Sequence, residues 1–510
     1  METFTSSPKR WWALVAIVLC ALTLGFDSTI LNVGLPTLAT ALDAGTSELQ
    51  WIVDAYVLVF AGLILPMGAL GDRYGRKRLL LLGLALFAAS SLFAVYAGGA
   101  AGVIAARALM GVGAAILTPL TLATLPVMFA PHERSKAIAL MTMGMGIGLP
   151  LGPIIGGYLL EHFWWGSIFL INVPVAVIAL IAVATLIPES RARDPKPVDL
   201  AGGVLSTAGL VLFVYGVIEA PVRGWTDPLV LAALVAGVAL LVGFAAVERR
   251  LAAPMIDLRW FRRPRFAWGS AAATIVSFSL FGLLFVLPQF FQAVRGDDAL
   301  AVGLRLLPLI GGLFFGAPLA ARLTTKLGAK IPVVLGMGIA AAALLVGTRT
   351  EVGSEYGFIA AWLAVAGFGI GLALSPSMEA VLGELPNDEA GSGSAVTMSL
   401  RQTGGALGVA LLGSLLSAVY RNGVGDGAPA VARESVTGAV ALAGQLGDAA
   451  LAATARAAYV DAMAAVLLAC AGLAVVGAVL AAVLLPARAD AGSGPTADAQ
   501  ELTDELIRSS

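Results

Sequence analysis

Long apolar runs alternate with short polar breaks along the whole chain. Crossing the hydrocarbon core of a bilayer takes roughly 20 apolar residues in a helix. Runs of that order lie near 11–36, 51–70, 79–97, 101–125, 136–160, 165–187, 199–219, 228–247, 267–291, 301–323, 331–347, 356–377, 394–418 and 458–484. They predict an all-α membrane protein with fourteen transmembrane helices, because backbone in lipid must satisfy its hydrogen bonds within its own segment. The first run is too long for a signal-peptide core and ends in no convincing small-x-small cleavage site, so it reads as an uncleaved first helix.

The polar breaks organise the chain. Residues 188–199 form a linker after helix 6, and residues 248–266 carry Arg249, Arg250, Arg259, Arg262, Arg263 and Arg265 before helix 9. Residues 420–457 form the one long external loop, and disorder is expected after Pro486. An internal offset of 253 residues carries Gly75 to Gly328, Lys77 to Lys330, Arg73 to Lys326 and Gly152 to Gly405, and brings Pro36 within one residue of Pro288. It sets helices 1–6 against helices 9–14, with helices 7 and 8 inserted between them. Repeated halves around a midplane site are a known build of secondary transporters. The expected division is an N-terminal six-helix bundle (1–190), an inserted pair with linkers (191–265), a C-terminal six-helix bundle (266–486) and a disordered tail (487–510).

Composition agrees with this pattern. The chain is 59% hydrophobic and 12% charged, with a mean hydropathy of +0.92, whereas soluble domains carry about 25% charged residues. A net charge of -1 suggests no nucleic-acid partner. Cys20 and Cys470 sit in apolar runs, and the two histidines, His132 and His162, fall in expected loops, so no disulfide framework, metal site or cofactor is expected. With the N-terminus placed in the cytoplasm, 22 Lys/Arg fall on the cytoplasmic side, six outside and three (Arg107, Arg305, Arg401) in the membrane. That asymmetry sets both termini inside.

Several segments carry candidate chemistry. The break between helices 2 and 3 reads Gly68-Ala-Leu-Gly-Asp72-Arg73-Tyr-Gly75-Arg76-Lys77-Arg78, a glycine turn with one carboxylate among four cations. Asp72 can pair with Arg76 or sit at a helix N-terminus. In helix 5, Gly144, Gly148, Gly152 and Gly156 lie four apart, which gives a smooth face for close backbone approach. Pro150 and Pro153 should bend the same helix. At 1.5 Å per residue, Asp27, Asp54 and Arg107 lie roughly 12, 6 and 9 Å below the outer ends of helices 1, 2 and 4. Ionisable groups at that depth cost about 2.5–3.5 kcal/mol on insertion scales and normally have partners. Asp27 with Arg107 is the expected pair, read either as a proton-coupling site or as a structural ion pair. Asp54 reads either as a drug-side or second proton site or as an interfacial carboxylate. Glu379 and Asp461 read as interfacial charges, and Arg401 has no evident partner in the sequence. Phe278, Phe281 and Phe285 share one face of helix 9, either as packing or as a stacking wall for flat substrates with cation–π attraction. Asn32 and Gln289 are grouped with them on the substrate side.

The 68–78 segment resembles the signature loop of the major facilitator superfamily. Gly144 to Gly157 is similar to the antiporter signature of its drug exporters, which adds Pro153 and Gly157 to the glycine face. Phe26 to Pro36, Ile104 to Gly113 and Leu49 to Tyr56 resemble the fourteen-helix drug:proton antiporter family, the last of them its quaternary-ammonium-type pumps. The departures are Met110 where a glutamine is common, Thr325 in place of the aspartate of the second signature loop, and no acidic pair in helix 13. The resemblance implies a major facilitator fold of two six-helix bundles plus two helices. It implies a glycine face that seals the halves against leak, and a gating loop at Gly68, Asp72, Arg73, Gly75 and Arg76. It also implies proton-coupled export of small drug-like molecules across the cytoplasmic membrane by a monomer. No ATP-binding P-loop is present, so an ion gradient is the expected driving force. A dedicated exporter of one natural product is the rival reading. A membrane enzyme has no nucleophile–base pair or metal cluster to support it.

Overall fold

The structure is a computed structural model that describes residues 9–486 except 130, 192–197, 252–253, 255 and 386–389. The expected disordered tail and the middle of the 188–199 linker lie outside the described residues. Among those residues the chain is helical and has no strand. The long helices are α1 (Lys9–Ala41), α2 (Thr46–Tyr74), α3 (Arg76–Val95), α4 (Ala100–Met128), α5 (Pro131–His162), α6 (Ser167–Leu186), α7 (Leu200–Arg223) and α8 (Pro228–Glu248). They continue with α9 (Pro264–Gln289), α10 (Ala299–Leu327), α11 (Lys330–Gly347), α12 (Tyr356–Leu382), α13 (Ala390–Val424) and α14 (Ala449–Leu484). Among the described residues, 13 helices are long and apolar enough to cross a membrane. The remaining long one, α5, has 32 residues and lies along α1.

The helix ends have local causes. Asp199, Asp227, Asp298 and Asp448 accept backbone N–H bonds at the starts of α7, α8, α10 and α14, satisfying donors that have no intrahelical partner. Gly75 turns the chain from α2 into α3 at φ 120°, a conformation that favours glycine. In α9, Pro288 removes a backbone donor, and the helix runs on into a π turn at Phe290–Val294. The 420–457 loop is largely helical: α13 reaches Val424, Ala430–Glu434 and Val436–Leu446 form two short helices, and α14 starts at Ala449. Ser435 caps the second short helix through Gly438 N–H, and its alanine-rich sequence suits a helix.

Packing repeats between the two halves. In the first, α1 packs on α4, α5 and α6, α4 on α2 and α3, and α3 on α6; in the second, α9 packs on α12, α13 and α14, α12 on α10 and α11, and α11 on α14. The repeat reaches single residues. Gly148 and Gly152 of α5 lie on the Leu22 and Phe26 carbonyls of α1, as Gly404 and Gly408 of α13 lie on the Thr274 and Phe278 carbonyls of α9. Gly111 meets the Tyr56 carbonyl as Gly367 meets that of Leu309. In packing, then, Gly152 corresponds to Gly408, where the sequence offset set it on Gly405.

Between the halves, α2 packs on α13 and α5 on the start of α10. The inserted pair breaks the symmetry. α7 lies over the α2–α13 side only, close to α2 at Gly62–Thr207 and Pro66–Gly203. It is bonded to α13 through Ser414 Oγ to Val217 O and Arg421 Nη1 to Pro221 O. α8 packs against α7 through Gly209, Gly216 and Gly237.

Candidate functional site

Three helices of the first half meet at Asp27. Arg107 of α4 donates from Nη1 to Asp27 Oδ2 at 2.9 Å, and Asn172 of α6 donates from Nδ2 to Asp27 Oδ1 at 2.9 Å. Arg107 Nε also donates to Ile52 O of α2 at 3.2 Å, and its guanidinium stacks 4.2 Å from the Tyr56 ring centroid. Asp27 is 1% and Arg107 2% exposed. The expected pair therefore forms, with both carboxylate oxygens occupied. The sequence reading missed Asn172 and Tyr56. Tyr56 lies one turn beyond Ile52 on α2, which was its only signal. Asn172 begins the longer segment of α6, and nothing in the sequence tied it to Asp27.

Asp54 is different. It sits half a turn from Ile52 and Tyr56 on α2, is 0% exposed, and neither oxygen has a hydrogen-bond partner among the described residues. The structure thus buries it inside the bundle. The repeat places Ser279, Leu363 and Leu307 where the first half has Asp27, Arg107 and Asp54. This acidic site belongs to one half only.

The other substrate-side residues are dispersed. Asn32 Nδ2 donates to Ser28 O and Gln289 Nε2 to Phe285 O, each within its own helix. Phe285 is fully buried, Phe278 and Phe281 are half-buried, and the Phe281 ring lies against Gly405. Glu379 and Asp461 are exposed.

The glycine face of α5 packs on α1, with Gly144 against Val18, Gly148 and Gly152 against backbone, and Gly156 against Ile30. Contact between the halves falls to the next residues: Gly157 meets Ala299 and Leu300, and Pro153 meets Gly303. At the same face of the molecule Gln50 Nε2 donates to Val409 O and Ala410 O, and Gln292 Nε2 to Val33 O at 3.0 Å. Thr46 Oγ1 donates to Glu434 O in the 420–457 hairpin. The halves are clasped at this hairpin face. In the turn between α9 and α10, Asp297 pairs with Arg305 at 2.8 Å. Burial pushes its carboxyl above the ordinary range, while Arg305 and Arg295 pull it back.

At the opposite, basic face, Asp72 pairs with Arg76 at 2.7 Å, and Arg76 Nη1 donates to Ala123 O of α4. Glu189 closes the turn: its carboxylate accepts Lys77 N–H and lies 3.6 Å from Arg78 Nε. A Cβ at Gly75 would run into it. Gly68 lies against Pro119, and Arg73 is exposed beside the Tyr74 ring. Glu189, in the 188–199 linker, carried no signal for this role.

A family model for the Major Facilitator Superfamily matches residues 17–409. The chain belongs to that superfamily. It is 35% identical over 413 residues to methyl viologen resistance protein SmvA of Salmonella typhimurium, covering 80% of this chain and 83% of that protein. It is 33% identical over 410 residues to the tetracenomycin C resistance and export protein of Streptomyces glaucescens, covering 80% and 76%. It is 34% identical over 455 residues to multidrug efflux pump LfrA of Mycolicibacterium smegmatis, covering 87% and 89%. A bacterial homolog of the human lysosomal transporter Spinster, inward-facing and unoccupied, superimposes with a TM-score of 0.69 at 17% identity, covering 96% of this chain and 100% of that one. That likeness shows the fold alone. The superfamily and the helices make this a multi-pass membrane transporter.

Proposed function

We propose that the chain is a proton-coupled antiporter that exports drugs or other small amphipathic, cationic or lipophilic compounds across the cytoplasmic membrane by alternating access. The observation that carries this reading is the contrast between two buried carboxylates on neighbouring helices. Asp27 is fully engaged by Arg107 and Asn172, whereas Asp54 has no hydrogen-bond partner among the described residues. A bare carboxylate in such a place costs several kcal/mol, so Asp54 is a place for a bound cationic group or a proton. Asp27 ties α1 to α4 and α6, so loading it with a proton would release Arg107 and alter how those helices pack. Arg107 stays charged throughout. Exchange of one monocation for one proton moves no net charge and draws on the pH gradient alone.

The remaining assignments belong to the same proposal. Phe278, Phe281, Phe285, Asn32 and Gln289 contribute to the substrate side. Gly68, Asp72, Arg73, Gly75 and Arg76 form the gating loop, supported by the pairing of Asp72 with Arg76 and by the bond Arg76 donates to Ala123 O. Pro153 and Gly157 close the seal against α10, and Gly144, Gly148, Gly152 and Gly156 support it by seating α5 on α1. The bundles divide at 1–190, 191–265 and 266–486, supported by the repeated packing. Both termini are cytoplasmic, which places the basic face inside and the hairpin face outside, and the monomer is the working unit.

Efflux from inverted vesicles with proton release followed in parallel tests the site. Asp27→Asn abolishes export of charged and uncharged compounds alike, whereas Asp54→Asn hits quaternary ammonium dyes hardest and spares neutral compounds. Continued drug–proton exchange by Asp27→Asn would move the coupling role to Asp54. A second reading, a dedicated exporter of one natural product, is favoured by the relative named for tetracenomycin C. A susceptibility panel separates the two: resistance to one compound supports the dedicated exporter, and broad resistance supports the drug pump.

A further inference from the structure

Arg401 has no place in the site described so far. It lies on α13, and the register of α13 against α2, with Gln50 at Val409 and Ala410 and Ala61 at Ser399, sets it level with about Val59, midway along the 29 residues of α2. A guanidinium at that depth ordinarily has a carboxylate or carbonyl partner, as Arg107 does. The only polar contact of Arg401 among the described residues is a weak one, from Nε to Ser277 Oγ of α9 at 3.4 Å. None of its nitrogens is both buried and unbonded, and the side chain is half-buried, so its remaining donors keep some access to a ligand. The repeat gives it no counterpart, since the matching position of α5 is Met145.

We propose that Arg401 is an anion subsite of the transport pathway, which takes the phenolate or carboxylate of a flat aromatic substrate. The chemistry of its surroundings fits that class. Guanidinium offers a planar fork of donors matched to carboxylate and phenolate oxygens. Phe278, next to Ser277, and Phe281, one turn further along α9, are half-buried and supply ring faces for stacking. Gly404, Gly405 and Gly408 keep α13 tight against α9, so both the guanidinium and the rings are held on one rigid helix pair. Asp54 in the first half and Arg401 in the second then select opposite charges, and the range of substrates extends from cations to acids. The inference rests on the export reading and names a substrate class within it.

The test uses the full chain in lipid nanodiscs and two flat aromatic probes of opposite charge, fluorescein and ethidium, with binding followed by fluorescence anisotropy. Arg401→Gln lowers the ratio of fluorescein to ethidium affinity by at least about tenfold, the loss of one hydrogen bond to a charged group, and Arg401→Lys restores part of it. Ser277→Asp sets a carboxylate beside the guanidinium and lowers the same ratio without removing the arginine, so the test survives poor folding of the glutamine variant. An unchanged ratio in both Arg401→Gln and Ser277→Asp overturns the proposal, as does an equal loss of both probes. Ethidium export by the wild type in proteoliposomes under a pH gradient reads the export function separately. Export with a ratio indifferent to Arg401 sinks only the anion subsite. No ethidium export, with Arg401-dependent binding intact, sinks the export reading instead.

Discussion

Two carboxylates on neighbouring helices, Asp27 and Asp54, have opposite situations, and their substitutions should differ accordingly. Replacing Asp27 leaves Arg107 buried without its counter-charge. Removing one partner of a buried pair costs about 3–5 kcal/mol, so Asp27→Asn lowers the apparent Tm in detergent. Asp54→Asn removes a charge that has no hydrogen-bond partner among the described residues and leaves the Tm equal or higher. A fall for Asp54→Asn as large as that for Asp27→Asn would mean that Asp54 has a partner in the membrane. Outside the spans, Asp297 gives a pH signature. Its raised carboxyl value means that the folded state holds the proton more tightly than the unfolded chain does. Its contribution is thus fully present below the ordinary carboxylate value of about 4 and is lost as pH rises through the raised one. The wild type should therefore lose Tm relative to Asp297→Asn as pH increases across that window. A difference that stays flat with pH would count against the assignment.

The helices owe their close approach to glycine. A Cβ at Gly152 would meet Thr29 Oγ1 and the backbone of Phe26 and Ile30, whereas no atom lies within 4 Å of the position at Gly98. Overpacking costs typically about 1–3 kcal/mol, and here the obstacle is backbone that cannot rotate aside. Gly152→Val should reduce export far more than Gly98→Val at equal expression, and comparable activities would show that α5 and α1 are not held closely. The glycine spacing was legible in the sequence because it has helical period. Which neighbour it met was not: the face seats α1 within its own half, and Gly157 and Pro153 make the contact with α10.

Across the whole molecule, the halves are clasped at the hairpin face. Gln50 gives two hydrogen bonds to α13 carbonyls, each worth about 0.5–1.5 kcal/mol net. Gln50→Ala should shift the population toward opening at that face by about 1–3 kcal/mol, roughly 5- to 150-fold. Spin-label distances between α2 and α13 at the hairpin end report the shift. An unchanged distance distribution would mean that the apolar and glycine contacts alone hold the seam. The inserted pair adds an asymmetry to this motion. α7 is packed on α2 and bonded to α13, so it straddles the α2–α13 contact between the halves and leaves the α5–α10 contact without such a brace.

Run length and hydropathy determined the all-helical membrane class, since lipid permits few alternatives for a backbone. Charge at membrane depth singled out Asp27, Arg107, Asp54 and Arg401, because an ionisable residue inside an apolar run is rare and costly enough to stand out. The signature loop and the glycine face were readable because their chemistry is local, either a turn or a helical period. Only the tertiary structure decided the partners: Asn172 and Tyr56 around the ion pair, Glu189 behind the loop and, among the described residues, none for Asp54 and Ser277 alone for Arg401. Those contacts join segments tens to more than a hundred residues apart. They depend on helix rotation and register, which hydropathy along one chain does not encode.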